Sequence, residues 1–150
     1  MTEQTLGSTT ITQVGIIVQD IEAKAQAWAE VLGLPVPEIM ITDSHERAET
    51  EYKGKPSNAR AKLAFFYLGQ VDLELIEPIG KPSTWLDQLD ERGDGLHHIA
   101  FEIKGVSEKV AYLEARGCSL VQRGEYPGGR YAYINGNAQL GTILELLEND

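Results

Sequence analysis

Cysteine is almost missing from this chain. Cys118 is the single one, so no internal disulfide can form and no cysteine cluster can hold a metal. Placed after Gly117 and before Leu120-Val121, it reads as a small buried hydrophobe. Basic residues are also few: 13 Lys and Arg against 23 Asp and Glu give a net charge of −10, and nowhere do five of them cluster. That balance argues against nucleic acid or an anionic membrane as a partner. No apolar run comes near the ~18 residues that a helix needs to cross a bilayer. Residues 1–10 are polar and lack the charged and apolar regions of a secretory signal, so a cytoplasmic location is expected. What the chain does have is 42% apolar residues over 150 positions, ordinary for one globular domain and too many for disorder.

The sequence also repeats itself. Residues 13–33 (QVGIIVQDIEAKAQAWAEVLG) and 98–117 (HIAFEIKGVSEKVAYLEARG) each begin with one polar residue and a short apolar segment. Each continues into a helical stretch that ends at a glycine. Further on, LELIE at 73–77 matches LELLE at 144–148. Residues 14–18 and 99–103 are apolar and β-branched, as expected of strands. Ile21, Ala25, Trp28 and Leu32 recur at helical spacing behind Asp20 as N-cap, and Val106, Val110 and Leu113 repeat the pattern. Strands at 62–68 and 71–76 are echoed at 130–134 and 142–147. Pro82-Ser83 starts a helix over 84–92 that Gly93 stops. Residues 43–58 hold five charged side chains between Glu46 and Lys53, and a mobile loop is expected there.

The predicted fold class is therefore α+β. Two tandem βαβββ modules, about 11–78 and 96–148 with a linker helix at about 83–93, form one domain. Their curved mixed sheet surrounds a central cleft, with the helices outside.

The repeat superposes Gln13 on His98 and Glu74 on Glu145, and all four interrupt apolar strands. A carboxylate flanked by leucines is costly to bury unpaired. Strand alternation turns each of the four away from its apolar neighbours, towards the concave side and the two-fold axis. One imidazole nitrogen, one amide oxygen and two carboxylates make a workable set for a divalent ion such as Mn, Co, Ni or Zn. By the same alternation His97 faces the other way and is structural or interfacial, while His45 lies exposed in the charged loop. The Gly128-Gly129 pair reads as turn chemistry, and Arg130 beside it is a candidate for a substrate carboxylate or phosphate.

From residue 11 to residue 148 these features resemble the vicinal oxygen chelate superfamily, which includes glyoxalase I, methylmalonyl-CoA epimerase, extradiol dioxygenases and antibiotic-resistance proteins. GLHHIAFEI at 95–103, preceded by LELIEPIGKPS at 73–83, is most similar to epimerase-like members. The resemblance places metal ligands on the first and last strand of each module, here Gln13, Glu74, His98 and Glu145. A Gln, Glu, His, Glu set is similar to that of some glyoxalase I enzymes. Lys62 falls near the place where some epimerases carry a second glutamate.

The resemblance and the donor set together imply an isomerase, epimerase or lyase that removes a proton α to a carbonyl. The divalent metal would stabilise the enolate or enediolate, and Glu145, then Glu74, would act as the base. The substrate would be a small carbonyl compound, with epimerase-like activity favoured over lactoylglutathione lyase-like activity. A non-catalytic drug binder ranks next, because aromatics are scarce at 7% and the ligand positions hold competent donors. Ring cleavage ranks last, since only His98 among the ligands is a histidine. A homodimer is expected, with the 14–18 strand as a possible sheet edge between copies.

Overall fold

A computed structural model describes residues 4–150; residues 1–3 of the polar opening segment lie outside the described residues. Strand β1 (Ile11–Ile17) leads into α1 (Ile21–Leu32). Asp20 caps that helix by accepting from the Ala23 N–H at 3.2 Å. Gly33 ends it at φ 69°, a left-handed conformation that favours glycine. Next come β2 (Met40–Ile41), α2 (His45–Ala48), β3 (Glu51–Tyr52), β4 (Lys55–Pro56), β5 (Arg60–Tyr67) and β6 (Asp72–Ile79). Helix α3 (Thr84–Arg92) follows, capped by the Ser83 hydroxyl, which accepts from the Leu86 N–H at 3.0 Å. The chain then runs through β7 (Gly95–Glu102), α4 (Val106–Glu114), β8 (Ser119–Tyr126), β9 (Gly129–Gly136), α5 (Asn137–Leu140) and β10 (Thr142–Asn149).

All ten strands form one curled sheet in the order β2-β5-β6-β1-β7-β10-β9-β8-β3-β4. The run β2-β5-β6-β1 is mirrored by β8-β9-β10-β7, and the halves meet where β1 and β7 pair antiparallel. On either side of that seam β6 and β10 pair in parallel with β1 and β7. This is the α+β fold of two βαβββ modules that the repeat predicts.

Alternation along the strands divides the core into three clusters. Val18, Phe66, Leu73 and Leu75 pack beneath α1. Ile103, Ile134, Leu144 and Leu146 pack beneath α4. The third cluster is on the concave side, where Trp85 of α3 joins Ile17, Ile76 and Tyr133 and fills one end of the half-barrel. The Trp85 indole N–H donates to the Tyr133 hydroxyl at 3.1 Å.

Two expectations need correction. Residues 43–58 are not a mobile loop but hold α2, β3 and β4. Strand β3 crosses to the other module and pairs with β8, Tyr52 opposite Gln122, and the Lys53 N–H donates to the Val121 carbonyl at 2.7 Å. Lys53 and Gly54 both have positive φ, 50° and 79°, the signature of a two-residue hairpin turn. Ala48, Thr50 and Ser57 are buried, so charged neighbours hid a short ordered segment. The second correction concerns residues 14–18, which cannot form a sheet edge between copies. Strand β1 lies at the centre of the sheet with neighbours on both sides, and the edges are β2 and β4.

Candidate metal centre

The β1–β7 seam carries two bulges, and these decide what reaches the concave side. In β1 the register passes from Ile11↔Phe101 to Gln13↔Ala100, leaving Thr12 as the extra residue; in β7 it passes from Gly15↔His98 to Ile16↔Leu96, leaving His97. Each bulged residue directly precedes a candidate ligand. Gln13 and His98 point inward from the seam, Glu74 joins them from β6 and Glu145 from β10, and all four are buried.

Their polar atoms converge on one point. His98 Nε2 lies 3.1 Å from Glu145 Oε1, 3.5 Å from Glu74 Oε1 and 3.2 Å from Gln13 Oε1. With the Gln13 amide turned over, its NH2 donates to Glu145 Oε1 at 2.8 Å and to Glu74 Oε1 at 3.2 Å. One side chain can thus satisfy the carboxylates with its nitrogen or a cation with its oxygen. Donor atoms of Glu74, His98 and Glu145 lie within 4.8 Å of one another, close enough for a single ion. Burial, and then the neighbouring Glu145 and Asp72, raise the Glu74 carboxyl well above its ordinary value of 4.5. Two buried carboxylates share one imidazole and one neutral amide, which satisfy hydrogen bonds but do not balance two negative charges, and a dication is the counter-charge that this donor set fits.

Gly15 makes room for the imidazole. A Cβ there would lie 2.1 Å from His98 Cε1, inside the ring's own volume, and the ring is only 1% exposed. His97 holds the same ring from behind. Its Nδ1 is 2.8 Å from His98 Nδ1, and its Nε2 is 3.2 Å from the Thr84 hydroxyl. Burial, and then His98 and Arg92, push His97 well below the usual histidine range, so it is neutral. A consistent assignment has His97 Nε2–H donating to Thr84 and His98 Nδ1–H donating to His97, which frees His98 Nε2 as a ligand lone pair. The sequence expectation that His97 faces away from the site is therefore corrected: alternation fails at a bulge. Thr84, Tyr133 and Gly15 were also missed, although a His-His doublet and a glycine inside an apolar strand were available signals.

Tyr133 and Trp85 wall off one end. The Tyr133 ring centroid is 5.1 Å from that of His98 and 5.0 Å from that of His97. A cleft of about 690 Å³ reaches Thr84, Tyr133 and Ile143 but none of the four converging side chains.

Other sequence candidates lie elsewhere. Lys62 faces the helix side and pairs with Glu22 at 3.4 Å and Glu77 at 3.7 Å. Arg130 is engaged by Glu125, Glu148 and Asp150 rather than free for a substrate. His45 is half-buried, its Nδ1 3.1 Å from the Ser57 carbonyl, so it is not simply exposed. Cys118 is buried beneath α4. A further acidic trio, Asp20, Glu22 and Glu77, is already used for capping α1 and pairing with Lys62.

Residues 12–134 match the family model of the Glyoxalase/Bleomycin resistance protein/Dioxygenase superfamily. The chain is 32% identical over 140 residues to the uncharacterized protein YqjC of Bacillus subtilis (strain 168), covering 90% of this chain and 89% of that one. It is 26% identical over 108 residues to the mitochondrial methylmalonyl-CoA epimerase of Mus musculus, 71% of this chain, and spans about half (52%) of that protein's length. The crystal structure of methylmalonyl-CoA epimerase from Mycobacterium tuberculosis shares the fold, with a TM-score of 0.61 at 21% identity, covering 100% of this chain and 93% of that one.

Three outcomes are expected. Gly15→Ala displaces the imidazole and lowers affinity for a divalent ion about a hundredfold or more, measured by calorimetry, while circular dichroism stays that of a folded protein. Thr84→Val lowers metal affinity about tenfold by freeing the His97 ring, and Thr84→Ser restores it. The third concerns pH. A carboxyl whose folded value is raised contributes stability below its unfolded value of 4.5 and loses it as pH rises through the folded value. Urea midpoints in chelator should therefore show Glu74→Gln more stable than the parent at neutral pH, with the gap closing towards pH 4.5. A gap that widens on acidification would contradict this.

Proposed function

We propose, on the premise that this chain belongs to the Glyoxalase/Bleomycin resistance protein/Dioxygenase superfamily, that it is a divalent-metal-dependent enzyme moving a proton at a carbon next to a carbonyl, in the manner of an epimerase. The observation that carries this reading is the convergence of Glu74, Glu145 and Gln13 on one His98 nitrogen, buried at the seam of two duplicated modules. Burying two carboxylates there costs stability, and a bound dication would offset that cost.

Gln13, Glu74, His98 and Glu145 would hold the ion. A divalent ion so held supplies Lewis-acid polarisation of the carbonyl and a counter-charge for its oxygen as the α-proton leaves. The residues supply the rest. Glu145 takes the proton, as the carboxylate on the module-two side. Glu74 is carried by β6 and Glu145 by β10, with β1 and β7 between them, and their carboxylates meet beside His98 Nε2, so Glu74 is placed to give the proton back. Two carboxylates from separate strands suit proton return at one carbon, and they suit proton transfer between adjacent carbons of a hemithioacetal equally well. His97 and Thr84 keep the His98 ring in one tautomer. Tyr133 and Trp85 exclude water from behind, which strengthens every charge interaction in the site.

The test is solvent deuterium exchange at the α-carbon, followed by NMR, with protein loaded with Zn, Ni, Co or Mn. Acyl thioesters, a hemithioacetal and a keto-sugar form the panel. Exchange that needs stoichiometric metal, stops with chelator and falls about a hundredfold or more in Glu145→Gln is expected. Metal-loaded protein that exchanges none of the three would overturn the proposal.

A further inference from the structure

The inward-facing positions of the seven long strands share one sign of charge. They carry Asp72, Glu74, Glu102 and Glu145 and no lysine or arginine. Basic residues do occur in these strands, but Arg60, Lys62, Arg123 and Arg130 all fall on the helix-facing side. Trp85 and Tyr133 lie at one end of the half-barrel, and Asp72 and Tyr67 lie towards the other. There Phe65 is paired across the strands with Glu74, and Tyr67 with Asp72. The two rings stack with centroids 6.2 Å apart and planes 9° from parallel, and Tyr67 is 73% exposed. From Glu74 to Asp72 is two strand residues, roughly 7 Å, so the aromatic pair and then Asp72 follow one another along the strands outward from the buried centre.

We infer that the substrate is a short carbonyl compound without a phosphate-bearing handle, its apolar portion lying on Phe65 and Tyr67. This rests on the proposed proton-transfer reading and specifies its substrate class. A dication offsets two of the four inward carboxylates. The other two, on a protein of net charge −10, face whatever projects from the mouth. A coenzyme A tail would bring several phosphate charges to that rim and meet no cation on the inner face of these strands. The likeness to epimerases of coenzyme A esters therefore does not bring their carrier to this chain.

The experiment compares one acyl group on two thiols: methylmalonyl-CoA and the methylmalonyl thioester of N-acetylcysteamine, on metal-loaded protein. Calorimetry gives affinity and NMR gives α-deuterium exchange. At about 0.01 M salt the short ester should bind at least about tenfold tighter, and the gap should shrink at about 1 M, where the Debye length falls to about 3 Å. Asp72→Asn with Glu102→Gln should narrow the gap at low salt, and Tyr67→Ala should weaken the short ester about fivefold. Equal or tighter binding of the CoA ester, a gap indifferent to salt, or no binding of either ester overturns the inference. Selective binding of the short ester with no exchange of either leaves the inference standing and removes the proton-transfer reading.

Discussion

Two carboxylates held against one imidazole, inside a β-sheet and away from any lysine or arginine, are the constraint around which this molecule is organised. Glu74 and Glu145 lie in strands whose neighbouring residues, Leu73 and Leu75 or Leu144 and Leu146, bury themselves beneath helices. The strand period then leaves the carboxylates no direction but inward. Unpaired, each would be several kcal/mol unfavourable. The surroundings answer that cost: His98 between them, the reversible Gln13 amide across them, and His97 and Thr84 fixing the ring.

Duplication explains why the centre lies at the seam, and its imperfections explain how the seam works. Gln13 of β1 is paired with Ala100 of β7, and His98 of β7 with Gly15 of β1. Each inward donor thus faces a small residue on the other strand. The larger ring faces the glycine, because even a methyl group would enter its volume. The bulges at Thr12 and His97 are placed alike in the two halves yet serve different ends. Thr12 donates its hydroxyl to the Ala100 carbonyl at 3.3 Å, while His97 supports the neighbouring ring. A repeated backbone thus carries asymmetric chemistry, with Gln13 and Thr12 in one half where the other has His98 and His97.

Much of this was legible in the sequence. The two βαβββ units, the Asp20 and Ser83 caps, the span of α3 and the inward direction of the four polar residues follow from periods of 3.6 and 2 and from the repeat. What escaped did so for physical reasons. Alternation predicts one side for His97, and a bulge inserts a residue that alternation does not count. The β3–β4 hairpin has two residues in each strand, too few for periodicity, and its partner β8 lies about seventy residues away. The centrality of β1 could not be read from its apolar content, because a buried central strand and a sticky edge have the same composition. Arg130 next to a glycine pair looked available until the fold brought Glu125, Glu148 and Asp150 around it.

Charge is sorted by face across the whole sheet. Folding alone does not require charges to be sorted by face, since a lysine stem can cover apolar surface on either side while its ammonium reaches water. Here every basic residue of the long strands is on the helix-facing side, and Lys62 and Arg130 are tied there into partly solvated pairs, which add little stability. The carboxylates on the other face have no such partners, and Glu74 is held in a state that resists ionisation. An arrangement that yields little stability on one side and sacrifices some on the other is not explained by packing. It is explained if the inner face is shaped for the cation and the carbonyl compound proposed above, so that the sign of charge along the strands becomes part of the site.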